Sequence, residues 1–265
     1  MRWAALSGLL LTFFAGQDGL MGQDVSPLRN AHAHNDYYHK RPLLDALDQG
    51  FCSVEADVFL HKDELRVAHT FLEIQKDRTL QSLYLEPLFQ RVKTNGYVLA
   101  KETPFTLLID FKSDAGSSLN KLNDLLMPFK NHLTRLESGK LIQGQVTIVI
   151  SGNRPTRQIV EATDRLVFLD GRLGDPKDWG NEISPVVSES WNSHFKYRGF
   201  GNMKADEKKK LLSIVQKVHQ QEKRIRFWAL PDRKKGWQTA WDAGVDLINT
   251  DKLESLRKFL LEQRR

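Results

Sequence analysis

The chain has one cysteine, Cys52, in 265 residues. No disulfide can close within it, so the apolar core must carry stability alone. Cys52 lies between Phe51 and Val54 at a strand entrance and reads as a small buried hydrophobe, neither nucleophile nor ligand. Long apolar runs are equally scarce. The run Trp3 to Ala15 follows Met1-Arg2 and precedes Gly16-Gln17-Asp18, and no second one follows. It is too short for a comfortable membrane span and has the anatomy of a secretory signal, with cleavage expected after Gly22. This predicts a signal peptide over residues 1–22, a mature domain over 23–265, and a secreted or periplasmic location. Other absences exclude further classes. No glycine-rich phosphate loop follows the first strand, which argues against an open doubly wound sheet. No repeat or low-complexity tract occurs, and basic residues are not interleaved with aromatics, so nucleic acid is not an expected partner.

A hydrophobic content of 40% and a charged content of 27% fit a soluble globular protein, and the length suits an α/β barrel folded as one unit. The formal charge of +6 survives loss of the first 22 residues, because Arg2 and Asp18 leave together. A modest positive balance favours anionic partners such as phosphates or lipid headgroups. From Leu28 onward, strand and helix patterns alternate. Strands are expected at Arg29, Ser53, Thr106, Val146, Leu166, Val186, Ile225 and Asp246, nearly all joined by helical segments such as Leu43 to Asp48, a short helix capped by Thr79 with another piece over Pro87 to Lys93, Ser118 to His132 and Ala205 to Glu222. This alternation predicts a single-domain α/β fold, a closed parallel (β/α)8 TIM barrel.

Functional groups of such barrels collect at the carboxyl ends of the strands. In Ser53-Val-Glu-Ala-Asp-Val58, residues Glu55 and Asp57 share one strand face, and Asp110 and Lys112 share one face of a later strand. His32 and His34 follow the first strand, and His69 follows the turn after the second. Inward-facing carboxylates are costly without a counter-ion, and a divalent cation held by oxygen ligands offsets that cost. Three carboxylates without a thiolate suit Mg2+ or Ca2+ and suit Zn2+ poorly. His32-Ala-His34 also resembles the opening of metal-dependent amidohydrolases, but the later histidine ligands that chemistry needs are missing: His132 and His219 fall in helical stretches and His194 in a loop.

These pieces resemble the phosphatidylinositol phospholipase C-like phosphodiesterase superfamily, which includes glycerophosphodiester phosphodiesterases and sphingomyelinase D. The matching segments are Ala33-His34-Asn-Asp36, Gly50-Phe-Cys-Ser-Val-Glu-Ala-Asp-Val58, Val67-Ala-His69, Leu108-Ile-Asp-Phe-Lys112 and Ala243-Gly-Val-Asp-Leu-Ile-Asn-Thr-Asp251. His32-Ala-His-Asn-Asp-Tyr37 and Arg226-Phe-Trp-Ala-Leu-Pro-Asp232 are most similar to a branch named for altered inheritance of mitochondria. The resemblance implies metal-dependent cleavage of a phosphodiester, with Glu55, Asp57 and Asp110 as metal ligands, His34 and His69 as catalytic acid and base, and Lys112 contacting phosphate. It departs from the glycerophosphodiesterase pattern twice. His34-Asn35-Asp36 replaces His-Arg-Gly, removing an arginine that grips phosphate, and Asp110 stands where glutamate is usual, closer to sphingomyelinase D. Arg154, after the fourth strand, is a candidate replacement grip.

The expected function is therefore a metal-dependent phosphodiester hydrolase acting on a small-molecule or lipid-headgroup phosphodiester, with transient membrane-surface contact as a further expectation. The alternatives are a sphingomyelinase D-like phospholipase and a non-catalytic phosphate-binding barrel. Trp228 is a candidate pocket wall and Asn249 a candidate hydrogen-bond donor near the mouth. Trp191, Phe195, Tyr197 and Phe200 form an aromatic loop that either caps the barrel or touches lipid.

Overall fold

Segments such as Val146-Thr-Ile-Val-Ile150 and Phe51 to Val58 are nearly unbroken runs of buried residues, the mark of parallel strands covered on both faces. The computed structural model describes residues 25–264, and the expected signal peptide lies outside the described residues. The strands are β1 (Leu28–Ala33), β2 (Phe51–His61), β3 (Glu64–Val67), β4 (Phe105–Phe111), β5 (Arg135–Glu137), β6 (Lys140–Ile142), β7 (Val146–Gly152), β8 (Val167–Gly171), β9 (Val186–Ser190), β10 (Arg224–Trp228) and β11 (Ile248–Thr250). Eight of them pair in parallel in the order β10-β9-β8-β7-β4-β2-β1-β11. A parallel bridge between Arg226 and Leu247 brings the two ends together, so the eight strands form a nearly closed barrel. The expected TIM-type fold is what the chain adopts, and all eight anticipated strands take part.

Helices α1 (Leu44–Asp48), α2 (Glu86–Asn95), α3 (Ala115–Leu126), α4 (Thr156–Glu161), α5 (Trp191–His194), α6 (Ala205–His219), α7 (Lys234–Asp242) and α8 (Leu253–Gln263) connect and cover the strands. Asp114 caps α3 by accepting a hydrogen bond from the Ser117 N–H at 2.8 Å, which satisfies one of the amide donors left free in a first helical turn. Helix α6 turns Leu211, Ile214, Val215 and Val218 inward, an apolar stripe at helical spacing. The connection from β8 to β9 carries no helix.

Two local features differ from the sequence expectation. The helical pieces expected after Thr79 are one continuous stretch, opening with a π turn over Gln81–Leu85 and running on through α2. The second half of the expected helix from Ser118 to His132 tightens into a 3-10 segment, Met127–His132, which leads to the antiparallel hairpin β5–β6. Pro128 near the start of that segment lacks the amide that α-helical continuation would use.

Candidate active site

Strand alternation puts Glu55 and Asp57 on the same side of β2, and the parallel register of β2 with β4 places Asp110 directly opposite Asp57. One carboxylate oxygen from each of the three lies within 4.8 Å of the others. Glu55 and Asp57 are buried. On the next strand, Gly152 has a φ of +65°, and a Cβ there would stand 2.1 Å from Asp110 Oδ1. The end of β7 is thus shaped around that carboxylate.

Two cations face the trio. Lys112 Nζ lies 3.0 Å from Asp57 Oδ2 and 3.1 Å from Asp110 Oδ1. The Arg226 guanidinium, from β10, pairs with Glu55 Oε2 and donates through Nε to Asn249 Oδ1 at 2.9 Å. Three carboxylates against two cations leave one excess negative charge. Burial alone would push Glu55 up, yet Arg226, His32 and His34 hold its carboxyl well below the usual range. Burial pushes Asp110 up to about 6; Lys112 opposes the rise, while Asp57 and Glu55 add to it. Asp57 Oδ1 is buried without a hydrogen-bond partner, an unusual condition for a carboxylate oxygen. All the candidate donors are hard oxygens, and one of them is unsatisfied, so the residues fit a divalent cation of the Mg2+ or Ca2+ kind.

His69 follows β3 and donates from Nδ1 to Asp57 Oδ2 at 2.7 Å. The Tyr37 hydroxyl lies 2.8 Å from the same oxygen and 3.1 Å from His69 Nδ1, so one phenol braces both groups. His34, at the end of β1, has Nδ1 2.8 Å from Asp251 Oδ1. Burial pulls the His34 pKa down, but the hydrogen bond to Asp251 and the nearby Glu55 charge bring it above its ordinary value. Each imidazole is therefore oriented through Nδ1 by a carboxylate, and Nε2 of each makes no hydrogen bond among the described residues.

His32 is fully buried, with Nδ1 2.7 Å from Ser53 Oγ and Nε2 3.2 Å from Glu55 Oε2. Burial, with Arg226 nearby, lowers its pKa to about 3. A neutral ring that accepts from Ser53 and donates to Glu55 satisfies both contacts. His32 is not part of the carboxylate trio, and no amidohydrolase-like histidine cluster occurs among the described residues.

Arg154 is engaged elsewhere. Its guanidinium makes two bonds to Asp175, at 2.6 and 3.1 Å, and one to the Asp170 carbonyl. Arg172 reaches Ser151 Oγ at 3.2 Å, and Ser151 is in register with Asp110. Asn249 accepts from Arg226, and its Nδ2 is buried without a partner. Trp228 is 43% exposed at the end of β10, two residues beyond Arg226 and so on the same strand face. Trp191, Phe195 and Tyr197 are buried, with the Trp191 indole donating to the Tyr197 carbonyl at 2.9 Å, and only Phe200 of the aromatic loop is exposed.

Four residues join the site that residue-by-residue reading passed over or undervalued. Tyr37 and Asp251 lie inside the matched motifs but carry no signal of their pairing with His69 and His34. Arg226 sits inside β10 between Ile225 and Phe227, and a charge flanked by apolar strand residues is a usable signal for a buried partner. Gly152 is recognisable only once its neighbour is known.

The barrel, with carboxylates and histidines converging at the carboxyl ends of its strands, defines a protein of the glycerophosphodiester phosphodiesterase-like class. Residues 224–254 match the glycerophosphoryl diester phosphodiesterase family. A glycerophosphodiester phosphodiesterase structure from Parabacteroides distasonis superposes with a TM-score of 0.53 at 14% identity, covering 89% of this chain and 99% of that one. Residues 20–170 match the AIM6-like phosphodiesterase domain, and the chain belongs to that family. It is 31% identical to an altered inheritance of mitochondria protein 6 homolog from Arthroderma benhamiae, over 86% of this chain and 82% of the relative. The corresponding Eremothecium gossypii protein is 32% identical, over 89% and 71%.

Proposed function

We propose that the chain is a metal-dependent phosphodiester hydrolase acting on glycerophosphodiesters or lipid-derived phosphodiesters, with Glu55, Asp57 and Asp110 holding the cation and His34 and His69 moving protons. The observation that carries this reading is the unpartnered, buried Asp57 Oδ1 inside a trio of carboxylates, flanked by His69 and Lys112. A divalent ion bound there supplies Lewis-acid stabilisation of the phosphoryl oxygens.

The protein's own groups supply the rest. Lys112 presents a positive charge beside the trio, kept protonated by Asp57 and Asp110 although burial opposes it, and attracts a phosphate oxygen. One imidazole takes the proton of the attacking water, or of a substrate hydroxyl, as its oxygen bonds to phosphorus. The other gives a proton to the alkoxide that leaves as the P–O bond breaks. Asp57 and Asp251 hold these rings in place, so the reacting geometry is set before substrate arrives. Replacing the excess negative charge by a net positive one through cation binding also matches a singly charged phosphodiester.

The test is a screen of glycerophosphodiesters and lysophospholipids with Mg2+, with Ca2+ and with EDTA, the products being read by phosphorus NMR. Activity with either ion, its loss in EDTA, and loss of at least about a hundredfold in His34→Ala and in His69→Ala are the expected results. Cation binding without turnover of any ester would instead favour a phosphate-binding barrel.

A further inference from the structure

Six of the nine exposed large apolar side chains among the described residues, namely Tyr38, Phe71, Leu72, Leu173, Phe200 and Trp228, lie on segments that follow β1, the β2–β3 hairpin, β8 and β9, or end β10. The barrel strands are parallel, and β3 runs back antiparallel along the outer part of β2 and returns the chain to the site, where the Ala68 N–H donates to the Asp57 carbonyl at 3.1 Å, so these segments emerge at one end of the molecule, the end that carries the site. Single exposed apolar residues are ordinary, but concentration on one face marks an interaction surface. The two most exposed members are Leu72, at 95%, and Phe200, at 70%.

The part next to His69 is held in place. Thr70 and Glu73 form a reciprocal capping box around the turn Phe71–Glu73. Glu73 Oε2 also accepts from the His69 N–H at 3.0 Å, and the Tyr38 hydroxyl lies 3.1 and 3.2 Å from the Glu73 carboxylate oxygens. Phe71 leans edge-on against Phe59 and His61. An ordered turn thus projects Leu72 into solvent three residues beyond a site histidine.

The charges of this face are lopsided. Lys40, Lys196, Arg198 and Arg233 are exposed in the same set of loops, and none has a carboxylate partner among the described residues: Arg198 donates to backbone carbonyls, and Arg233 stacks 4.0 Å from the Phe200 ring centroid. Asp77 and Asp178 are exposed in the same loops and unpaired among the described residues, while four other acids are engaged internally. Glu73 is held as described, Asp232 accepts from Trp237 and Thr250, Asp251 pairs with His34, and Glu189 pairs with His194. Apolar tips among unpaired cations are the complement of an anionic phospholipid surface.

We propose that the mouth of the barrel docks on an anionic phospholipid bilayer, so that the phosphodiester it receives is part of a membrane lipid. The substrate half of this inference rests on the phosphodiesterase reading above; the docking half does not. The full chain, in EDTA to prevent turnover, is sedimented with vesicles of phosphatidylcholine alone or mixed with phosphatidylserine. Binding should be stronger on the mixed vesicles, weaken with salt, and fall about tenfold or more in the Leu72→Ser/Phe200→Ser double variant, while hydrolysis of soluble glycerophosphocholine by that variant with Mg2+ or Ca2+ stays as in the parent.

A local readout separates this face from the amino-terminal apolar run. Cys52 is buried, so an environment-sensitive fluorophore attached through Leu72→Cys reports one position, and its emission should shift blue on the mixed vesicles. Absence of that shift, or vesicle binding unchanged in the double variant, overturns the proposal. So does a dimer in lipid-free solution that the double variant converts to monomer. Hydrolysis of soluble diesters without binding to anionic vesicles defeats the docking alone, whereas vesicle binding with no ester cleaved defeats the phosphodiesterase reading alone.

Discussion

Gly152 and Asp110 are in mutual contact to the point that no other residue fits at 152: a Cβ would lie 2.1 Å from Asp110 Oδ1 and 2.5 Å from the Phe111 carbonyl. Gly152→Ala therefore has two effects. It places a side chain in the left-handed backbone region at a cost of about 1–2 kcal/mol, and it displaces a carboxylate of the candidate cation site. The expected outcome is a lower melting temperature together with at least about tenfold weaker Mg2+ or Ca2+ binding, measured by calorimetry on the same preparation. Unchanged cation affinity would remove Asp110 from the ligand set.

The His34–Asp251 contact predicts a displaced pH profile. Burial depresses the imidazole pKa and the Asp251 hydrogen bond raises it, with a net upward shift. In Asp251→Asn the raising contribution falls, so the His34 pKa drops and its limb of the kcat/KM profile moves to lower pH. Activity at the optimum should also fall, by about tenfold or more, as the ring loses its orienting partner. A lower rate with the limb unmoved would make Asp251 a purely structural residue.

Much of the scaffold could be read from the chain because parallel strands buried on both faces leave continuous apolar runs between turn residues. The β5–β6 hairpin could not. Its strands are three residues each and mostly exposed or half-buried, so they carry neither alternation nor an apolar run. Within the site, Glu55, Asp57 and Asp110 stood out because each interrupts an apolar strand. The partners did not, because pairing is a property of the assembled barrel: Glu55 and Arg226 are 171 positions apart, and the opposition of Asp57 and Asp110 depends on a strand register that spacing alone does not specify. Arg154 misled for the same reason, since the acid that engages it, Asp175, lies in an irregular loop 21 positions on.

Arg226 and Glu55 form a pair whose members are both buried. Arg226→Met should be strongly destabilising, by about 3–5 kcal/mol, because it leaves Glu55 as an uncompensated buried charge. Adding Glu55→Gln removes that charge and should recover most of the loss, while cation binding stays impaired. Urea denaturation of the two single variants and the double variant forms the cycle that measures the coupling. Full additivity would show that the two side chains do not support each other.

Asp36, immediately before Tyr37, gives a pH dependence in stability that is separate from the reaction. Its carboxylate accepts from the Leu43 N–H at 2.5 Å and the Tyr84 hydroxyl at 2.9 Å, while Oδ1 is buried without a partner. Burial pushes its pKa from 3.8 up to about 7, against the pull of those two hydrogen bonds. Below pH 3.8 the carboxyl is protonated in both the folded and the unfolded chain. Between that value and about 7 the folded chain holds the proton that the unfolded chain has lost, so stability falls as pH rises, and above the folded pKa the slope disappears. The loss attributable to Asp36 is a few kcal/mol at most. Asp36→Asn keeps the acceptor for Leu43 and Tyr84 and cannot ionise. Its stability relative to the parent, from urea midpoints at a series of pH values, should rise between pH 4 and about 7 and then level off. A constant difference across that range would mean that Asp36 is already ionised in the folded protein at the acid end.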